Sequence, residues 1–354
     1  MRSELLTRTE CTAMRGIAIM AIMLHNYCHW LDGIVRENEY LWKVNNVNRL
    51  WYCLQHPTDL LSVHLFSFFG HYGVPVFLFL SGFGLVMKYE QSASMEVGIW
   101  RFIRYNYLKL FRILIVGFVA FVIVDAITPN THRYEWLHVV GVLGMFANLL
   151  EHPAQVIWPG PYWYFGLTLQ LYIVYRLLFA RFRHWAVVAV LILGCWLWQE
   201  AYSHDAVMLE RLRYNCIGGM LPFGLGILLA RYQSALTGIR QQPLLWTAIL
   251  LLSVVLVFAM SFQMQAWFWI PVLIVVGTIA LVKVLPTAVL QPCVWLGGIS
   301  AAIFVSHPIL RKVFIRPYGH GDIYAGLLLY TVTAIAVAWL FMLIVNRIPK
   351  PKLK

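Results

Sequence analysis

Charge is what this chain has least of. Only 12% of its 354 residues are Asp, Glu, Lys or Arg, against about 25% in an ordinary soluble domain. A water-soluble fold of this length needs more polar surface than that, so a soluble globular enzyme is excluded. Cysteine is also sparse: the six residues show no C-x-x-C spacing, which indicates neither a disulfide framework nor a metal site. Low-complexity stretches and internal repeats are absent, and no polar run is long enough for a catalytic domain of ordinary size. A single domain over residues 1–354 is therefore expected, with any chemistry placed among apolar helices.

Apolar residues make up the difference. They form 61% of the chain, the mean hydropathy is +0.71, and apolar runs long enough for a bilayer core of about 30 Å recur along the sequence. Ten spans are expected, at 13–31, 64–87, 108–127, 162–180, 185–200, 214–230, 244–262, 267–285, 292–310 and 323–346. The fold class is thus all-α, a polytopic membrane helix bundle. The first span follows a basic stretch but lacks an A-x-A-like cleavage site, so it is read as a span and not as a signal peptide. An even count puts both termini on one side. That side collects 18 of the 27 Lys and Arg residues but 4 of the 15 acidic ones, so the positive-inside rule makes both ends cytoplasmic. The net charge of +12 is then an orientation signal, and no nucleic-acid partner is implied. Residues 137–150 are apolar but short, and are expected as a re-entrant or interfacial helix in an outer loop.

Ionisable groups inside spans are costly and mark candidate sites. In the first span His25 lies ten residues after Arg15, about 15 Å along a helix axis, in the outer half. Asn26 follows, and His29 shares the face of His25 at i, i+4. The second span brings His64, Ser67 and His71 to its outer end, with Gly70, Gly73, Pro75 and Ser81 permitting bends and close packing. Gln170 is the strongly polar side chain of the fourth span, whose Trp163 and Tyr164 read first as an aromatic belt and second as a sugar platform. Ser306 and His307 close the ninth span at its outer end. Histidines on three spans therefore reach one depth, while Arg15, Arg101 and Arg104 mark the cytoplasmic entrance. Imidazoles suit proton abstraction from a hydroxyl, and grouped arginines suit phosphates.

These landmarks, in this order, resemble the membrane acyltransferase-3 family, integral-membrane O-acyltransferases of bacterial surface glycans. The resemblance rests on Arg15-Gly-Ile-Ala and His25, on GVPVFLFLSGF at 73–83, on Arg101-Phe-Ile-Arg104, on YWYFGLTLQLYIVY and on ISAAIFVSHPIL. It runs from about residue 8 to 346. Two departures stand out. The family usually has ten residues between its Arg and His, whereas nine separate Arg15 from His25. Ten helical steps leave them about 80° apart, so the helix is distorted or Arg15 has a looser role. Many members also carry Glu in the helix where this chain has Thr168, Leu169 and Gln170.

The resemblance implies transfer of an acyl group, acetyl in the first instance, from acyl-CoA to a hydroxyl of a glycan or lipid-linked sugar. His25 would be general base or a transient acyl carrier. Arg101 and Arg104 would hold the coenzyme phosphates with help from Arg15, and His71, Ser81, Gln170 and His307 would contact substrate. No permanently bound cofactor or metal is expected, nor an appended hydrolase domain. The setting would be a bacterial inner membrane, with the lipid bilayer as a further partner. The competing readings are a transporter or flippase without chemistry, and a structural component of a polysaccharide-export complex. Both halves of a transporter usually show paired broken helices and midplane charges, which this sequence lacks.

Overall fold

The computed structural model describes residues 4–91, 97–318 and 321–353. Residues 92–96 of the polar loop after the second span, and Arg2 and Lys354 of the charge tally, lie outside the described residues. No strand occurs among the described residues. The helices are α1 (Arg8–Cys28), α2 (Val44–Gln55), α3 (Leu61–Phe69), α4 (Gly73–Val86), α5 (Ile99–Ile127), α6 (Trp136–Leu143), α7 (Pro153–Val156) and α8 (Trp163–Val174). They continue as α9 (Trp185–Ala201), α10 (Ala206–Arg213), α11 (Cys216–Tyr232), α12 (Pro243–Met260), α13 (Met264–Trp267), α14 (Ile270–Val284), α15 (Thr287–Tyr318) and α16 (Ile323–Arg347).

All ten apolar segments read from the sequence are helical in large part. Among the described residues, five helices are long and apolar enough to cross a membrane: Leu61–Gln91, α5, α12, Thr287–Ile315 and α16. The pair α10–α11, bent by 42°, makes a sixth if counted as one span. The protein is thus an all-helical, multi-pass membrane protein. The segment 137–150 forms the eight-residue α6 and a short 3-10 turn. A helix of that length reaches about 12 Å, too short to span.

Burial sorts the helices into centre and rim. α1 buries side chains around most of its circumference, among them Met14, Ile19, Ile22 and His25, as expected of a helix surrounded by protein. α12 buries Trp246 and Ser253, while its Leu244, Leu251, Leu252 and Val255 are exposed, forming a face suited to lipid. Thr7 starts α1 through a capping box with Glu10, satisfying two backbone donors reciprocally. Glu10 also pairs with Lys283 of α14 at 2.7 Å, which ties the beginning of α1 to the end of α14.

The most extensive contact of α1 is with α15, and it is made backbone to backbone. A methyl group on Gly297 would overlap the Thr12 carbonyl, and one on Gly16 would overlap the Cys293 carbonyl. Small residues permit this approach, which is how helices pack where lipid supplies no hydrophobic drive. Its neighbour Gly298 has open space beside it. Gly297→Ala is therefore expected to lower stability by about 1–3 kcal/mol, the usual range for overpacking, whereas Gly298→Ala leaves it unchanged or slightly raised. Thermal unfolding of the two detergent-purified variants side by side checks this. Equal melting temperatures would show that the α1–α15 contact is looser than described.

Candidate active site

The site is built where α1 ends and the second apolar segment turns. Pro75 cannot donate a backbone hydrogen bond, and Gly70 and Gly73 leave room for a tight path. The chain accordingly makes a 3-10 turn at Gly70–Tyr72 between α3 and α4. The turn lies against α1: a methyl on Gly70 would stand 2.6 Å from His25 Cβ. Ser67, one turn earlier, offers its carbonyl to His25 Nδ1 at 2.7 Å. A carbonyl oxygen only accepts, so Nδ1 carries the proton and Nε2 keeps its lone pair. Nε2 makes no hydrogen bond among the described residues. His25 is buried and lines a cavity of about 380 Å³, within the common range for small-molecule sites. α1 is an unbroken α-helix from Arg8 to Cys28, so the spacing of Arg15 and His25 is not corrected by distortion and the two side chains serve different ends of the helix.

The loop after α1 supplies groups that no helical pattern reveals. Its Val35 donates to His64 Nδ1 and accepts from the Ser67 hydroxyl. The Asn38 carbonyl accepts from Trp267 Nε1 at 2.8 Å, and the Glu39 carbonyl from Arg213 Nε at 3.0 Å. Held by these bonds, the loop delivers Glu37, Glu39 and Tyr40 to the cavity. His64 and Ser67 thus position the loop. Glu37 meets His29 Nδ1 at 3.2 Å, and the His29 ring lies edge-on to His25, 4.6 Å between centroids. His25, His29 and Glu37 offer three possible metal-ligand atoms within 4.8 Å of one another.

The two loop carboxyls are driven apart. Enclosure works against the charge of Glu37, but the hydrogen bond from His29 and the neighbouring His25 and His29 outweigh it and hold the carboxyl below the ordinary carboxylate range. For Glu39, enclosure first and the Glu37 carboxylate second push it up to about 8, against the pull of Arg213. Near neutral pH one is an acceptor and the other a donor.

His71 is also brought here, its ring 5.6 Å from His25. Both its ring nitrogens are buried without a well-formed hydrogen bond among the described residues, Phe68 offering the nearby backbone group, an arrangement that calls for an explanation in a native protein. His307 donates from Nδ1 to the Ile303 carbonyl at 3.1 Å, which leaves Nε2 buried without a partner among the described residues; it sits beside the cavity-lining Phe304 but does not itself line the cavity. Trp163 and Tyr164 belong to the cavity wall, and Trp163 is buried, so their first reading as an aromatic belt is corrected. Trp163 stands edge-on to Tyr40, which stacks on Tyr214 at 4.1 Å. Arg311 went unread in the sequence, although it follows His307 by one helical turn. It is buried, donates to Asn26 Oδ1 at 3.3 Å and lies 4.6 Å over the Trp30 ring, at the cavity edge.

A second cavity, of about 450 Å³, opens at the other end of α1. Arg8 and Arg15 line it from α1, Lys88 lines it from beyond α4, and Glu4 is the acidic residue in its wall. Lys88 reaches Tyr105 of α5 at 3.2 Å. Arg101 and Arg104, in the first turns of α5, are exposed and lie outside this lining. Ser81 is half-buried on α4 and lines neither cavity. Gln170 is occupied elsewhere. It donates to Asn215 Oδ1 at 2.7 Å and accepts from Cys216 N at 2.9 Å, capping the start of α11. Gln170→Leu is therefore expected to leave that backbone N–H unsatisfied, at about 1–3 kcal/mol, and Arg101→Ala to change stability little. Thermal unfolding of both variants checks this; a Gln170→Leu protein as stable as the native one would free the residue for a role at the site.

The cavities share one central helix, with an imidazole at one end and guanidinium groups at the other. No curated protein and no solved structure matches the chain. A family model described as an acyltransferase domain matches residues 10–343, nearly the whole chain. The protein belongs to the acyltransferase-3 family and is an acyltransferase moving groups other than aminoacyl groups.

Proposed function

We propose that the protein transfers an acyl group, acetyl in the first instance, from acyl-CoA to a hydroxyl of a glycan or lipid-linked sugar, with His25 as general base. The observation that carries this reading is the pair of cavities at the two ends of α1, cationic at Arg15 and imidazole-bearing at His25. On this reading the chain crosses a bacterial inner membrane ten times with both termini in the cytoplasm, as the excess of Lys and Arg on the terminal side favours. The cationic cavity then faces the cytoplasm, where acyl-CoA is supplied. The His25 cavity faces outward, towards surface glycans.

Arg8, Arg15 and Lys88 take the coenzyme phosphates, since guanidinium and ammonium groups pair with phosphate oxygens. Arg101 and Arg104 give the incoming donor its first electrostatic contact at the same end. The pantetheine arm carries the thioester towards His25. In the outer cavity the aromatic faces of Trp163, Tyr40 and Tyr214 form a platform for a sugar ring, and Glu39 and His71 pair with its hydroxyls. His25 Nε2 accepts the proton of the attacking hydroxyl as its oxygen bonds to the thioester carbon. Arg311 stabilises the oxyanion by its charge. The carbon–sulfur bond then breaks, and the proton passes from Nε2 to the departing coenzyme thiolate. Ser67 holds the productive tautomer throughout.

Removing a positioned general base costs about 10²–10⁴-fold in rate. His25→Ala is expected to lose that much transfer while still inserting and accumulating. His29→Ala and His307→Ala should fall less, because their nitrogens position groups and move no proton. Acyl transfer in membranes, normalised to protein level, compares the three variants. A His25→Ala enzyme within a few-fold of the native rate would put the base elsewhere.

A further inference from the structure

Among the described residues, His25, His29 and Glu37 form a cluster of metal-ligating side chains, three groups that acyl transfer does not require together. His25 and His29 face one way because they are four residues apart on a helix end. Glu37 comes back to them on the bonded loop. In a tetrahedral zinc site with bonds of about 2.0–2.1 Å, two ligand atoms stand about 3.3 Å apart by simple geometry. His29 Nδ1 and Glu37 Oε2 are already 3.2 Å apart. The whole triad lies within 4.8 Å, so about 1.5 Å of closure about the ion brings the third ligand in. That movement is within reach of side-chain rotation at a cavity edge.

The surroundings have the features of a ligating set. Metal-bound histidines usually give their other N–H to a carbonyl or carboxylate, which fixes the ring and its tautomer. His25 does so through Nδ1 and Ser67 at 2.7 Å, leaving Nε2 as a ligand atom. His29 and Glu37 are partly open, with side chains 19% and 18% exposed, so an ion can enter from the cavity. Two imidazoles and one carboxylate suit zinc and its neighbours among the transition metals, and not the oxygen-seeking magnesium or calcium.

We infer that His25, His29 and Glu37 form a reversible binding site for a zinc-class divalent ion, whose occupancy takes His25 out of use as a base. Coordination takes His29 as its other neutral tautomer, with the proton on Nε2. The His29–Glu37 hydrogen bond is exchanged for two bonds to the ion, and water fills the fourth position. The binding half of this inference stands on geometry alone. The inhibitory half rests on the function proposed above.

The test uses the full chain, purified in detergent and stripped with chelator. Cobalt(II) titration should give one equivalent of four-coordinate visible absorption, abolished by zinc and untouched by magnesium or calcium. His29→Gln and Glu37→Gln should each weaken zinc binding at least about tenfold. The zinc-loaded native protein, examined by X-ray absorption, needs no variant: it should show two imidazoles and oxygen at about 2.0–2.1 Å. Sulfur in that shell, or zinc bound equally well by the His29→Gln/Glu37→Gln double variant, would overturn the site, as would the absence of stoichiometric binding. Zinc should also halve acyl transfer over the range in which it binds. Zinc that binds the triad without slowing transfer would uphold the site and count against His25 as the base.

Discussion

The hydrogen bond from His25 Nδ1 to the Ser67 carbonyl is the interaction on which the site depends. It decides which nitrogen of the ring is basic and where the ring points. It exists because the chain between α3 and α4 turns tightly at Gly70, close enough to α1 for a methyl group to be excluded. The same segment carries His71 into contact range and, through His64 and the Ser67 hydroxyl, fixes the loop that brings Glu37 and Glu39 back. One short stretch, residues 64–75, therefore sets the His25 ring and its neighbours, and lends His71 and Val74 to the wall of the cavity. The Gly16 and Gly297 contacts act at a distance from this, by keeping α1 against α15 so that Arg311 and His307 share its surroundings.

What was legible in the sequence followed from regularity. Long apolar runs announced the helices, because a bilayer permits little else. His25 stood out because an ionisable group within such a run is costly. His71 and His307 were legible for the same reason; both lie buried, and His71 stands with its ring 5.6 Å from His25. Glu37, Glu39 and Tyr40 were not, because an irregular loop has no periodicity and its path is set by bonds to residues as distant in the chain as Arg213 and Trp267. Arg311 was hidden by its position near the end of an apolar run, where a basic residue usually means an interface. Gln170 misled in the opposite direction: a polar group within a span invites a functional reading, yet it meets the exposed backbone N–H that every helix start leaves. Trp163 and Tyr164 misled because a belt residue and a cavity wall have the same composition.

The arrangement also accounts for the unusual spacing in α1. If Arg15 and His25 had to act on one group, ten helical steps would set them on different faces and the site would fail. They do not share a cavity. Arg15 lines the one beside Arg8 and Lys88, and His25 lines the one beside His71 and Tyr40. The helix joins two half-sites about 15 Å apart, a distance that the pantetheine arm spans on the reading proposed above.

That separation makes the account directly testable by sidedness. Sealed membrane vesicles of known orientation are supplied with labelled acetyl-CoA on one face and a glycan acceptor on the other, and label on the glycan is measured. The account predicts transfer when the donor is on the Arg15 face and the acceptor on the His25 face, and none with the two exchanged. Label reaching the acceptor only when donor and acceptor share a face would contradict it.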